Sequence, residues 1–120
     1  WKRTTPIGMD TEVASFSALE RAWREADAKY AREHVMPYLY EREGRFNIML
    51  ADHTPNWGDY RLTVDTPEDL KLIREIYSRF DSTDEFSLRE IIDVFNKEPW
   101  LMEINAHTMH KSYKDTDTRY

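Results

Sequence analysis

The chain has 120 residues, of which 40% are hydrophobic and 33% are charged, and its formal net charge is −6. This length suits one domain with a buried core. The acidic balance lacks the basic surface that non-specific nucleic-acid binding requires. The absence of cysteine excludes disulfides, thiolate nucleophiles and zinc knuckles. No apolar run approaches the roughly 20 residues of a membrane span. We therefore expect a soluble, cytoplasmic protein without a nucleic-acid or membrane partner.

The first third of the chain predicts a strand, a helix and an interrupted helix. In residues 9–16, MDTEVASF, two sets of side chains alternate (residues 9, 11 and 13 against residues 10, 12 and 14), which is typical of a short strand. An amphipathic helix follows, and Ser15 or Ser17 can cap it. Pro37 interrupts the helical pattern of residues 29–42 because proline removes a backbone donor. The apolar face of the first helix is predicted to carry Phe16, Leu19, Ala22, Trp23 and Ala26.

The remaining sequence predicts two strands and two capped helices. The strands are residues 45–50 and 60–64, with a loop between them. Thr66 and Ser87 are the predicted N-caps of the two helices. The predicted buried stripes are Leu70, Ile73, Ile76, Tyr77 and Phe80 in one helix, and Leu88, Ile91, Ile92 and Phe95 in the other. This order predicts an α/β domain, residues 1–110, with a short mixed sheet and three to four helices, followed by a polar tail, residues 111–120.

Asp65 lies where a predicted strand ends and a capped helix begins. In open α/β sheets, ligands bind at the carboxyl ends of strands beside helix N-termini. A carboxylate at that edge can hold Mg²⁺, which takes one or two carboxylates together with waters and phosphates. The alternative is that Asp65 only helps Thr66 to cap the helix. Both interpretations remain open on the local sequence.

Asp10 and Glu12 share one face of the first predicted strand. Such a pair can bind a metal ion or accept hydrogen bonds from sugar hydroxyls, or it can belong to a solvated strand face. The sequence holds only three glycines, Gly8, Gly44 and Gly58, and they are far apart. The chain therefore lacks both common glycine-rich loops that cradle phosphates.

Several blocks together resemble one enzyme family. They are PIGMDTEVASFSALERAW, AREHVMPYLYEREGRFNI and YRLTVDTPEDLKLIREIY, followed by FSLREIIDVFNKEPWLMEINAH. Their order and spacing resemble the C-terminal half of cytidylyltransferases of the spore-coat polysaccharide biosynthesis F type, relatives of the synthetases that make CMP-activated Kdo and sialic acids. The resemblance covers nearly all of residues 5–110. It implies a three-layer nucleotide-diphospho-sugar transferase fold.

The family resemblance also implies an activity and site residues. Members transfer a cytidylyl group from CTP to a sugar with the help of Mg²⁺. The resemblance implies that Asp65 is a metal-binding carboxylate and that Asp10 and Glu12 lie near the sugar. The REH block, Arg32, Glu33 and His34, is then expected at the sugar pocket or a dimer contact.

In members of this family, the N-terminal half of the chain holds CTP and carries the first metal-binding Asp. That half is not found in these residues, and the sequence begins at Trp1. We therefore expect a fragment or truncated relative that is inactive alone and uses Mg²⁺ only when the other half is supplied. The alternative is a module without catalysis that self-associates, forming a homodimer through surface that an intact enzyme would cover. Binding of a small ligand in the sugar-side pocket is a third interpretation.

Overall fold

The computed structural model describes residues 2–81 and 83–109, and the predicted polar tail, residues 111–120, lies outside them. The described residues fall into two compact units. The first unit comprises residues 2–10 and 52–109, and the second comprises residues 11–51. The prediction of a single α/β domain over residues 1–110 stays a prediction.

Helices are the regular elements of the described residues. The α-helices are α1 (Phe16–Glu25), α2 (Lys29–Glu33), α3 (Pro37–Tyr40), α4 (Pro67–Ser78) and α5 (Leu88–Lys97), and a 3₁₀ helix follows at Pro99–Glu103. The described part thus has one α-helix more than the expected three to four, because the interrupted segment forms the two short helices α2 and α3. None of the helices in this part of the chain combines the length and apolar character needed to cross a membrane.

The predicted helix ends are confirmed by their capping contacts. The Ser15 hydroxyl accepts from the backbone amide of Ala18 at 3.2 Å, which makes Ser15 the N-cap of α1. Ser87 and Glu90 form a reciprocal capping box at the start of α5. Pro37 occupies the first turn of α3, where its missing amide hydrogen costs no helical bond. Local side-chain chemistry therefore sets these boundaries.

The three predicted strands, residues 9–16, 45–50 and 60–64, do not form in the described residues, so the expected mixed sheet is not seen there. A single parallel bridge joins Ile7 and Arg61. It does not extend in the described residues, because the Met9 amide donates to the Pro6 oxygen, the Tyr60 amide donates to the Trp57 oxygen, and Gly8 turns the backbone at φ 95°. Alternation of apolar and polar residues is a side-chain pattern, and a strand also needs a partner for its backbone groups.

The core of the first unit lies between α4, α5 and the 3₁₀ helix. Its largest fully buried side chains include Phe95, Leu72, Ile76 and Leu101. The stripe predicted for α4 is partly wrong, because Leu70 is 38% exposed and Tyr77 is 39% exposed. The buried row is instead Asp69, Leu72 and Ile76. The buried face includes Asp69 because its carboxylate pairs with Arg61.

The second unit has a small core and a large exposed apolar surface. Helix α1 contacts α3, and its buried positions are Ala22 and the C-cap residue Ala26. Two predicted core residues of this helix are exposed, Phe16 at 82% and Trp23 at 67%. The two alanines lie four positions apart on the inward face, whereas Phe16 and Trp23 lie seven apart on another face. The predicted apolar face of α1 is therefore only partly buried.

Candidate functional site

The central feature of the first unit is a buried ion pair between Arg61 and Asp69. Asp69 has no exposed surface, and the side chain of Arg61 is 9% exposed. Arg61 Nε donates to Asp69 Oδ1 and Arg61 Nη2 donates to Asp69 Oδ2, both at 2.8 Å. This two-point geometry fixes both side chains, since a planar guanidinium matches a carboxylate at two points.

Three more donors complete the environment of the Asp69 carboxylate. Asn105 Nδ2 donates to Asp69 Oδ1 at 2.9 Å, and the backbone amides of Asp65 and Thr66 each donate to Asp69 Oδ2 at 3.1 Å. The hydrogen bonds from Arg61, followed by those from Asn105 and the Asp65 amide, outweigh burial and hold the pKa of Asp69 well below its usual range. Asp69 is therefore charged throughout the physiological range.

Asp65 is the exposed member of the same network. Arg61 Nη2 donates to Asp65 Oδ2 at 3.0 Å, while the Asp65 side chain remains 61% exposed. The helix is capped by other groups, because Thr66 Oγ1 accepts from the Asp69 amide and Asp69 accepts from the Thr66 amide. Thr66 and Asp69 therefore supply the capping contacts. The Asp65 carboxylate instead faces Arg61 and solvent.

Asp65 is a single exposed carboxylate, and its role as a Mg²⁺ ligand stays a prediction. Within residues 2–81 and 83–109, no group of three or more His, Cys, Asp or Glu side chains could hold a metal ion. Mg²⁺ keeps several waters and takes one or two carboxylates together with substrate phosphates. An exposed carboxylate such as Asp65 suits that mode of binding.

A cavity of about 330 Å³ shares residues with the ion-pair network. Arg61 and Asn105 line it, together with Tyr60, Phe95 and Thr108. The rings of Tyr60 and Phe95 stack with their centroids 5.2 Å apart. The buried Nη1 of Arg61 has no hydrogen-bond partner among the described residues. The lining of the cavity thus includes aromatic rings together with an amide and a hydroxyl group.

Asp10 and Glu12 do not form the strand-face pair that the alternation predicted. Asp10 belongs to the first unit, where Thr5 Oγ1 donates to its Oδ1 at 2.9 Å and Arg3 pairs with its Oδ2. Glu12 is exposed and belongs to the second unit. A shared strand face at these positions is not present, because residues 9–13 carry no regular structure.

The REH block lies at the C-terminal end of helix α2 in the second unit. Arg32 Nη1 donates to the backbone oxygen of Trp23 at 2.5 Å, and its guanidinium lies 5.9 Å from the centre of the Trp23 ring. His34 is the C-cap, with Nε2 placed 3.8 Å from Glu33 Oε1. The structure thus brings Glu33 and His34 together and turns Arg32 towards Trp23. Their expected role at a sugar pocket stays a prediction.

Arg61, Asp69 and Asn105 were not among the site residues predicted from the sequence. One local signal was available, since Thr66 and Asp69 have capping-box spacing. Arg61 also stands four residues before Asp65, but no helical pattern covers that pair. Asn105 reaches Asp69 across 36 positions of sequence, which no local pattern encodes.

The comparisons with known proteins point to cytidylyltransferases. No protein-family profile matches the chain. The chain is 39% identical over 114 residues to an uncharacterized protein of Methanocaldococcus jannaschii, which covers 92% of this chain and 46% of that protein. It is 31% identical over 88 residues to the spore coat polysaccharide biosynthesis protein SpsF of Bacillus subtilis, covering 73% of this chain and 34% of SpsF.

A solved structure shows the same relationship at the level of the fold. A cytidylyltransferase of Leptospira borgpetersenii matches with a TM-score of 0.79 and 31% identity, over 92% of this chain and 44% of that one. The chain spans less than half the length of the curated relatives that it matches. Its similarity to a cytidylyltransferase-like family is therefore found in both sequence and structure.

Proposed function

We propose that this chain forms part of a sugar cytidylyltransferase of the spore-coat polysaccharide F type, in which Asp65 binds the Mg²⁺ that accompanies CTP. In the proposed reaction the oxygen of a sugar hydroxyl attacks the α-phosphorus of CTP, the hydroxyl proton passes to water, and the bond to the pyrophosphate leaving group breaks. The observation that carries the proposal is the exposed Asp65 carboxylate at the start of α4. The similarity to SpsF and to a solved cytidylyltransferase supports it.

The sugar-side residues of the proposal are Asp10, Glu12, Arg32, Glu33 and His34. Carboxylates accept hydrogen bonds from sugar hydroxyls, and an arginine or a histidine donates them. Asp10 is held by Thr5 and Arg3, so its carboxylate has a defined position in the first unit. The assignment of the other four residues rests on the resemblance of the REH and GMDTEV blocks to the family.

We also propose that these 120 residues alone do not catalyse transfer. Phosphoryl transfer depends on positioning the phosphates and neutralising their charge. The sequence has only three separated glycines and so lacks a glycine-rich phosphate loop. Mg²⁺ and CTP would therefore bind productively only when the missing part of such an enzyme is supplied.

Substitution of Asp65 tests the cation site directly. In the wild-type chain, Mn²⁺ is expected to broaden the backbone NMR signals of Asp65 and Thr66 at sub-millimolar to millimolar concentration. Asp65→Asn should remove this selective broadening and leave the remaining spectrum unchanged, because the amide carries no charge for the cation. Asp93→Asn is the matched control, since Asp93 is an exposed acid on α5. Equal broadening in wild type and Asp65→Asn would refute the proposed metal role.

A second candidate function is self-association without catalysis. It is favoured by the apolar side chains that the second unit exposes, including Val13 at 90%, Phe16 at 82%, Trp23 at 67% and Met49 at 91%. Side chains of this kind are typical of protein–protein contacts where they form a contiguous patch. The candidate occupant is a second copy of this chain, forming a homodimer.

Light scattering after size exclusion tests the second candidate. A homodimer is expected for the wild-type chain, with Phe16→Ser/Trp23→Ser shifting it towards monomer, because these substitutions remove exposed apolar area. Ser17→Ala is the control, since Ser17 is an exposed residue of the same helix. A wild-type chain that stays monomeric at every concentration tested would rule out this function.

A further inference from the structure

The guanidinium of Arg61 bridges a buried carboxylate and an exposed one. Its Nη2 lies 2.8 Å from Asp69 Oδ2 and 3.0 Å from Asp65 Oδ2. We propose that Arg61 is a positioning residue that holds the Asp65 carboxylate in one orientation, and that Asp69 both anchors Arg61 and offsets its charge. The inference rests on the proposed function in one respect, namely that the carboxylate so positioned binds a cation.

Arg61 can position Asp65 because Arg61 is itself held by two hydrogen bonds to a buried carboxylate. Two of its nitrogens, Nε and Nη2, are bound to the two oxygens of Asp69, and its side chain is 9% exposed. A guanidinium held at two points has a fixed plane, so the direction of its remaining donors is fixed as well. An exposed aspartate without such a partner samples several rotamers.

The Arg61–Asp69 ion pair contacts the backbone of Asp65 as well as its side chain. The amide of Asp65 donates to Asp69 Oδ2 at 3.1 Å, while Arg61 binds the carboxylate of that residue. Asn105 reinforces the arrangement, because its Nδ2 lies 2.9 Å from Asp69 Oδ1 and 3.3 Å from the backbone oxygen of Arg61. The main chain and the side chain of Asp65 are thus fixed from one buried anchor.

Charge explains why an arginine can stand beside a cation-binding carboxylate. Arg61 and Asp65 alone would sum to zero and offer no net attraction to a metal ion. Asp69 adds a further negative charge, so the three side chains sum to −1 (+1, −1 and −1). The buried carboxylate therefore lets Arg61 hold Asp65 while the site keeps the negative charge that a cation requires.

The double variant Arg61→Gln/Asp69→Asn separates positioning from charge. It removes the guanidinium yet leaves the net charge of the three positions at −1. Replacing both partners of a buried pair by neutral groups is tolerated far better than removing one of them, so this variant is expected to fold. Arg61→Lys is the second variant, because it keeps the charge but cannot make the two-point contact.

The direct readout is the side-chain conformation of Asp65, measured by three-bond NMR couplings from its Cγ and Hβ atoms. Wild type is expected to show the couplings of a single χ1 rotamer, and both variants should show averaged values. A purely structural role for Arg61 would change the stability and leave these couplings unaltered. Wild-type couplings that are already averaged, or variant couplings equal to those of wild type, would overturn the inference.

A Mn²⁺ titration separates this inference from the proposed function. The double variant is expected to bind Mn²⁺ roughly threefold to tenfold more weakly than wild type, which is the cost of ordering one side chain on binding. If wild type does not bind Mn²⁺ at Asp65, cation binding by this chain alone is refuted, and the couplings still decide whether Arg61 positions Asp65. If wild type and the double variant bind Mn²⁺ with equal affinity, positioning of Asp65 by Arg61 does not contribute to cation binding, and the inference fails.

Discussion

The Asp69→Asn variant is expected to lose about 3–5 kcal/mol of its free energy of unfolding. The substitution removes a carboxylate that is fully buried and leaves the guanidinium of Arg61 with only the exposed carboxylate of Asp65 as a charged partner. The asparagine amide would also present donors towards Arg61 or Asn105, which are donors themselves. Loss of the buried partner of a buried charge is among the most destabilising changes that a single substitution can make.

Urea denaturation followed by tryptophan fluorescence and circular dichroism measures this loss. Glu68→Gln is the control, because Glu68 is an exposed acid in the same first turn of α4. The control is expected to lose less than about 1 kcal/mol, which is the range of a charge interacting with a helix dipole. A loss below about 1 kcal/mol for Asp69→Asn would show that the ion pair does not anchor this part of the fold.

Helix boundaries were predictable because their chemistry is local. The signals that predicted the start of α5 are a serine, a glutamate three residues later and an apolar run. The structure contains those contacts, with Ser87 and Glu90 bonded to each other's backbone amides. The interruption at Pro37 is local in the same sense, since it follows from the covalent structure of proline.

The buried ion pair was not predictable, because its partners come from separate segments. Asp69 reads as an ordinary acid in the first turn of a helix, a position that favours negative charge on the surface. Only the tertiary contacts with Arg61 and Asn105 make it buried. Leu70 is exposed for the same reason. The contacts of Asp69 with Arg61 and Asn105 place Asp69, and not Leu70, on the buried face of α4.

The strand predictions were wrong for a related reason. Alternation at residues 9–16 and 45–50 predicts which side chains would share a face, but it contains no information about a hydrogen-bonding partner. In the described residues the only bridge found joins Ile7 to Arg61. Met49 and Val13, which belong to those two segments, are among the most exposed apolar residues. The alternation therefore does not correspond to a buried strand face in the described residues.

Asp65→Asn is expected to reduce cytidylyl transfer by about 100-fold or more in a chimera that supplies the rest of the enzyme. In this chimera, the segment of the Leptospira borgpetersenii cytidylyltransferase that matches this chain is replaced by residues of this chain. A divalent cation neutralises charge on the phosphates in the transition state, and losing a carboxylate that holds it removes several kcal/mol of that stabilisation. Asp93→Asn in the same chimera should retain activity, because Asp93 is an exposed acid of α5.

The release of pyrophosphate from CTP by this chimera, measured with Mg²⁺ and a panel of acidic and neutral sugars, tests the central claim most directly. We predict release that requires Mg²⁺ and a sugar, that is lost in Asp65→Asn and that is absent from the 120-residue chain alone. Circular dichroism and a cooperative thermal transition establish that each chimera is folded. A folded chimera without pyrophosphate release, or one in which Asp65→Asn is as active as the parent, would contradict the assignment of this chain to a sugar cytidylyltransferase with Asp65 at its metal site.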